Sequence, residues 1–375
     1  MHKFKAKKKV TLSSPNLDRP DILAVVAVLE SAILARGPQT EAFEKEFSKY
    51  AKAKEAVAVS NGTAALHLAV RAMGWKRGDE VLTSPFTFVA SSNCLLYEGI
   101  KPIFVDIDPK TLNIDFNRAA KFVNSKTKGI LLPHVFGSTS ELKAFKKFQK
   151  KFNLPVVEDA CEALGRPSAS FAVGKFGKVR AYSFFENKVL SCGEGGMLVL
   201  DDSVMAEKIR SMRNQGRLNV PDWMDKIELG FNYRLTEMQA ALGLSQLKKL
   251  DLFLKIRADL VRVYEKLLKN VPGLSLAWND KKNRRSWFVY YILLDQPAQR
   301  DQLRAYLAQQ GIETSTSYFN PLYKFAYLKK NNKPNNFPIT EKVASRILAL
   351  PLHTKMTKAD VFYVVKNIKE FFKQC

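Results

Sequence analysis

The chain has 375 residues, 46% hydrophobic and 26% charged, a balance that fits a soluble globular protein with one large core or two domains sharing an interface. No run of 18 apolar residues is present to span a membrane, and the basic N-terminus MHKFKAKKKVTLSS lacks the apolar stretch of a secretory signal, which points to the cytoplasm. Four scattered cysteines (Cys94, Cys161, Cys192, Cys375) and four scattered histidines form no C-x-x-C pair and no metal-ligand cluster, so buried free thiols and no metal are expected.

Residues 20–33 (PDILAVVAVLESAI) read as a helix with a proline near its start. After Gly37-Pro38 a second amphipathic helix, 40–53, carries Phe43, Phe47 and Tyr50. The run Val57–Val59 then ends in Ser60-Asn61-Gly62, and Thr63 opens a helix. That turn offers backbone N–H groups at a helix N-terminus, an arrangement that suits phosphate and that any capped strand-turn-helix also shows. Strands at 79–84, 103–106, 129–134 and 154–157 alternate with helices at 90–98, 115–124 and 139–152. Alternation of this kind predicts crossover connections, hence a mostly parallel sheet with helices on both faces and ligands at the carboxyl ends of the strands. Ser60 to Thr63, Thr83 to Phe88, His134 and Asp159 all fall at such ends. The pair Glu158-Asp159 is either a solvated strand end or cap, or it places Asp159 where a protonated ring nitrogen can be held.

Residues 165–180 read as a loop or hairpin leading into 181–196, AYSFFENKVLSCGEGG. Here a strand through Tyr182, Phe184 and Phe185 gives way to Lys188, then to Gly193-Glu194-Gly195-Gly196 and a strand at 197–200. A lysine set between two buried strands either snorkels to water or loses its charge and becomes a nucleophile able to form a Schiff base. A helix at 203–214 follows. Asn232-Tyr233-Arg234 precedes a long helix from Thr236, the expected hinge between a large domain, 1–250, and a small one, 251–375. The small domain should hold helices at 255–270, 299–310 and 340–349 and a strand at 286–295, with 329–337 as a surface loop. Its last helix opens on a capping box of Thr357 and Asp360 with Met356 and Val361 as a staple.

Taken together the motifs resemble the DegT/DnrJ sugar-nucleotide aminotransferases, a pyridoxal-phosphate family with the aspartate-aminotransferase fold (fold type I). They occur in family order: RGP at 36–38, SNGTAALHLA at 60–69, PFTFVAS at 85–91, EDACEALG at 158–165, SFFENK at 183–188, GEGG at 193–196, NYRLTEMQAALGL at 232–244 and LPLH at 350–353. The resemblance implies an α/β fold with a mostly parallel central sheet plus a smaller α+β C-terminal domain. It implies that Lys188 forms the internal aldimine and moves protons, and that Asp159 pairs with the pyridinium nitrogen. It further implies that Phe88 stacks on the ring, that Gly62, Thr63 and Ser183 cradle the phosphate, and that Asn232 reaches the phosphate of a neighbouring subunit in a homodimer. Glu162 stands where many members have glutamine near the ring hydroxyl. Residues 166–174 depart from the usual connector, and Tyr323 replaces a histidine common in relatives.

The implied reaction moves an amino group from glutamate to a keto-sugar nucleotide, an NDP-4-keto-6-deoxyhexose, and SFFENK and NQGR echo perosamine-type synthases. A sugar dehydratase is the alternative on the same fold, against which lysine at 188 argues, as is a regulatory member without transamination. The formal charge of +24 leaves room for a third reading, nucleic-acid binding. The lysines, however, are spread over 141–151 and 248–269 and are dense only at 3–9, without zinc-finger, RNP or zipper patterns, so a lysine-rich solvated surface is the simpler account.

Overall fold

The computed structural model describes residues 8–165, 168, 171–217, 226–279, 285–316, 320–329 and 337–374. Two helices lead, α1 (Arg19–Ser31) and α2 (Pro38–Ala51), each with proline in its first turn. The expected alternation follows as β1 (Glu55–Val59), α3 (Gly62–Ala72), β2 (Glu80–Thr83), α4 (Ala90–Tyr97), β3 (Lys101–Phe104), α5 (Phe116–Ala119), β4 (Thr127–Pro133), α6 (Leu142–Phe152), β5 (Val156–Asp159), β6 (Val179–Ser183), β7 (Gly196–Leu200) and α7 (Ser203–Arg213). These strands form one sheet in the order β1-β7-β6-β5-β4-β2-β3. Strands β3, β2, β4, β5 and β6 run parallel, while β7 lies antiparallel to both β1 and β6.

Helices cover both faces, which is why the strands read as apolar runs rather than alternating ones. On one face Val57, Leu131, Val157 and Leu198 pack against α3, α4 and α7. On the other, Ala58, Tyr182 and Met197 meet Phe43 and Phe47 of α2, and Ile130, Leu132 and Val156 meet Phe116, Phe145 and Phe148.

Helix α8 (Glu237–Leu268) is a single element of 32 residues, started by a capping box between Thr236 and Gln239. The sequence reading divided it into a helix from Thr236 and another at 255–270. The stretch between them contains neither Gly nor Pro, and Leu247, Leu250, Phe253 and Arg257 continue one buried stripe, so nothing interrupts the helix. Residue 250 therefore lies inside α8. Beyond it come β8 (Leu274–Leu276), β9 (Tyr290–Leu294), α9 (Pro297–Gln309), α10 (Ala326–Lys329), α11 (Pro338–Ala344), β10 (Ile347–Leu350) and α12 (Lys358–Gln374), with the strands in an antiparallel sheet ordered β10-β9-β8.

Several boundaries differ from expectation for local reasons. The helix expected over 340–349 stops at Ala344, because Ile347–Leu350 pairs antiparallel with β9 and buries every side chain there. The strand expected from 286 begins at Tyr290, since Trp287 sits at φ 52°, a left-handed conformation that no strand admits. The strand expected through Phe185 ends at Ser183, and β5 begins at Val156 rather than at Leu154 and closes on Glu158-Asp159. Residues 115–124 form only the short α5 and a 3₁₀ turn. The capping box that opens α12 is present, with Thr357 N–H donating to Asp360 at 2.7 Å and Asp360 N–H to Thr357 Oγ1 at 3.3 Å, above buried Met356 and Val361. Among the described residues no helix is long and apolar enough to cross a membrane.

Helix α1 is tied to α8 by Asp21, which is 1% exposed and accepts hydrogen bonds from Ser245 (2.6 Å), Gln246 (2.8 Å) and Lys249 (2.6 Å). Its other side leaves Ile22, Leu23, Val26 and Leu29 exposed, continued by Ile33 and Leu34.

Candidate active site

The carboxyl ends of β4 and β5, with the loops after β1, β2 and β6, surround a cavity of about 520 Å³. Parallel strands of an open sheet place their ligand sites at this edge. Seven of the eight residues singled out from sequence line it: Gly62, Thr63, Phe88, Asp159, Glu162, Ser183 and Lys188. The eighth, Asn232, is exposed and pairs with Asn214 in an isolated bridge, outside the cavity of its own chain.

One wall is the N-terminus of α3. Asn61 caps it, its side chain accepting from Ala64 N–H at 2.8 Å, while Gly62 and Thr63 supply the first two N–H groups of the helix. Glycine is required at 62 because a Cβ there would lie 2.7 Å from Ser183 Cβ. Backbone donors, the Thr63 hydroxyl and the Ser183 hydroxyl thus converge at a helix N-terminus, a cradle for a doubly charged phosphate.

Opposite stands Asp159 at the end of β5. Its Oδ2 accepts from Ser91 Oγ at 2.5 Å and its Oδ1 from Cys161 N–H at 3.1 Å. Thr87 Oγ1 lies 3.0 Å from Ser91 Oγ, and because that serine donates to Asp159, Thr87 donates to the serine. A hydroxyl relay from the first turn of α4 therefore orients the carboxylate.

Lys188 lies half-buried in the loop between β6 and β7, its Nζ 4.1 Å from the centroid of the Phe288 ring. Phe288 comes from the second sheet's segment, so the two parts of the molecule meet at the lysine. Glu162 accepts Phe136 N–H at 2.9 Å on Oε2, while its Oε1 is sealed from solvent without a donor. Burial pushes the Glu162 carboxyl above its usual range, against the Lys188 charge. Burial and the Asp159 charge push the neighbouring Cys161 thiol up, which leaves it protonated and unreactive. Cys94, Cys161 and Cys192 are free thiols, and Cys375 lies outside the described residues.

Phe88 lines the cavity and is 52% exposed at its mouth. Nearby, Tyr233 lies 3.1 Å from His67 Nδ1, His67 Nε2 lies 2.7 Å from Glu98, and Arg71 donates to both Glu98 oxygens at 2.9 Å. Burial lowers His67, while His67 and Arg71 hold Glu98 below the usual carboxylate range against its own burial. An anionic Glu98 fixes the histidine proton on Nε2, so the Tyr233 hydroxyl donates to Nδ1 and turns oxygen lone pairs elsewhere.

His134, a strand-end candidate, touches the cavity but commits its ring to Glu158 at 2.8 Å and to Phe176, with no side-chain exposure. Of the positions where the chain departs from its resemblance, residues 166, 167, 169, 170 and 317–319 lie outside the described residues, as do 330–336 of the expected surface loop and 1–7 of the basic N-terminus. Tyr323 donates to Glu341 and stacks on Phe337.

Sequence reasoning assigned no role to Ser91, Tyr97, Tyr233 or Phe288, and placed Thr87 only within the strand-end stretch Thr83 to Phe88. Only Thr87 and Ser91 carried a signal, four residues apart at the start of a helix and inside a motif already noticed.

Pyridoxal phosphate passes a structural test here. The α3 cradle leaves no room for a Cβ, the Asp159 carboxylate is held by two donors, and an orphaned Glu162 oxygen awaits a partner. Residues 15–369 match the DegT/DnrJ/EryC1/StrS aminotransferase family. A GDP-perosamine synthase of Caulobacter vibrioides is 34% identical over 375 residues, covering 96% of this chain and 98% of that one. Among solved structures, Helicobacter pylori PseC, an aminotransferase involved in the biosynthesis of pseudoaminic acid, superposes with a TM-score of 0.93 at 28% identity, covering 98% of this chain and 100% of that one. DesV of S. venezuelae, solved in complex with a ketimine intermediate, gives 0.88 at 29% identity, covering 97% and 100%.

Proposed function

The chain belongs to the DegT/DnrJ/EryC1/StrS aminotransferase family, and from that premise we propose that it moves an amino group from glutamate to a nucleotide-linked keto-sugar, an NDP-4-keto-6-deoxyhexose. It is a pyridoxal-phosphate-dependent enzyme of fold type I. The sugar reading is supported by relatives named as a perosamine synthase and as a pseudoaminic acid enzyme. The observation that carries the assignment is the meeting of Lys188, Asp159, the α3 N-terminus and Ser183 around one cavity.

When bound, pyridoxal phosphate supplies an electron sink for the bond broken at the amino-bearing carbon. Gly62, Thr63 and Ser183 would hold its phosphate, and Asn232 of a second copy would complete that contact. Asp159, oriented by Ser91, would hold the ring nitrogen in its protonated form. Phe88 would cover the ring and shed water from one face. Lys188 Nζ is the amine that would hold the cofactor covalently and then take and return a proton. The exposed apolar face of α1 supports a homodimer with shared sites, and the absence of a spanning helix among the described residues is compatible with a cytoplasmic place.

The test is the absorbance spectrum of the reconstituted protein before and after glutamate. A visible cofactor band that gives way to near-ultraviolet absorption establishes the donor half-reaction, after which keto-sugar nucleotides are screened as acceptors. Lys188→Ala should remove the visible band and lower turnover by roughly 10²- to 10⁴-fold with the fold intact. A variant that still transaminates would end the assignment, and cofactor binding without any response to glutamate would favour another donor or a dehydratase.

A further inference from the structure

The two oxygens of Glu162 stand in different circumstances. Oε2 is satisfied by Phe136 N–H at 2.9 Å, whereas Oε1 has neither solvent nor a donor. The groups facing this carboxyl come from every element around it: Asp159 and Cys161 at the end of β5, Lys188 from the loop between β6 and β7, and Phe136 from the turn after β4. Ser286 Oγ approaches from the second sheet's segment and donates to the Glu162 main-chain oxygen at 3.4 Å, away from the carboxyl. Lys188 favours an ionised Glu162 and Asp159 opposes it, and among the described residues Glu162 forms no ion pair.

An anionic oxygen stripped of water and left without a donor is among the costliest groups a protein can bury, and a proton removes most of that cost. We propose that Glu162 is a neutral carboxylic acid at physiological pH, and that its Oε1 proton is offered to an anionic oxygen on the ring of pyridoxal phosphate. Burial acts in the same direction by pushing the carboxyl up. A neutral Glu162 carries no charge to draw the Lys188 amine toward it. An ionised Glu162 would both repel the ring oxygen and fix the ammonium. The acceptor in this proposal rests on the cofactor reading above, but the proton does not.

The experiment is infrared difference spectroscopy of the full-length protein against Glu162→Gln, recorded first free of cofactor and then loaded with pyridoxal phosphate. At neutral pH the wild type should show the carbonyl stretch of a protonated carboxyl that the variant lacks, and loading should move it to lower frequency. Carboxylate stretches alone in the cofactor-free difference would overturn the proposal, and a protonated band indifferent to loading would overturn the donor role. Should the glutamine variant fail to fold, Glu162→Met gives the same subtraction. If the protein bound no pyridoxal phosphate, the functional reading would fail while the band in the cofactor-free protein still decided the proton.

Discussion

Ser91 acts through another residue, orienting the Asp159 carboxylate at the cavity. Its hydroxyl spans 2.5 Å to Asp159, a hydrogen bond to a charged group worth about 1.5–3 kcal/mol. Ser91→Ala should therefore slow the glutamate half-reaction by roughly 10- to 100-fold in single-turnover measurements, while phosphate-driven cofactor affinity changes little. An unchanged rate would mean that Cys161 N–H alone suffices to orient the carboxylate. The serine also marks a limit of reading from sequence. Lys188, Asp159 and Gly62 stand out in the sequence because each sits at a strand end or in a turn whose local chemistry is unusual, whereas Ser183 came only with the family resemblance. Ser91 and Phe288 reach the site only because α4 packs beside β5 and the second sheet closes over Lys188, and no local pattern records such contacts.

Helix boundaries followed punctuation. Proline in the first turn of α1 and the capping box of α12 announced themselves, whereas Pro38 reads as a break although it opens α2, the Thr236–Gln239 box of α8 went unread, and the continuity of α8 depended on an absence of breakers after Leu250 that composition alone did not weigh. The exchange of helix for strand at β10 came from pairing with β9, a partner more than fifty residues away. The docking of α1 has a pH signature. Burial alone would raise Asp21, but hydrogen bonds from Lys249 and Ser245 hold it below the usual carboxylate range. A carboxyl lowered in the folded state contributes stability that is fully present above its unfolded value and is lost as pH falls through the folded one. Amide exchange in residues 19–31 should therefore accelerate below about pH 4, ahead of the central sheet, and Asp21→Asn should remove that pH dependence. Simultaneous exposure of sheet and helix would show that Asp21 is not the anchor.

At the scale of the whole molecule, the apolar stripe of α1 calls for a cover, and a second copy would also bring Asn232 to a neighbouring cavity. Ile22→Glu combined with Leu29→Glu should convert a dimer to a monomer in light-scattering chromatography and raise the Kd for pyridoxal phosphate by roughly 10-fold or more, the scale of one lost charge-assisted contact. A variant that remains dimeric would place the interface elsewhere. The unbroken α8 carries a separate consequence. At its near end Thr236 follows Tyr233 of the cavity wall, and farther along Arg257 donates to the Trp287 and Phe288 carbonyls at 2.8 and 2.6 Å. Phe288 in turn lies against the amine of Lys188. One unbroken helix thus touches both sides of the cavity, so a tilt of the smaller sheet would be carried by Arg257 to the aromatic ring that lies against the Lys188 amine.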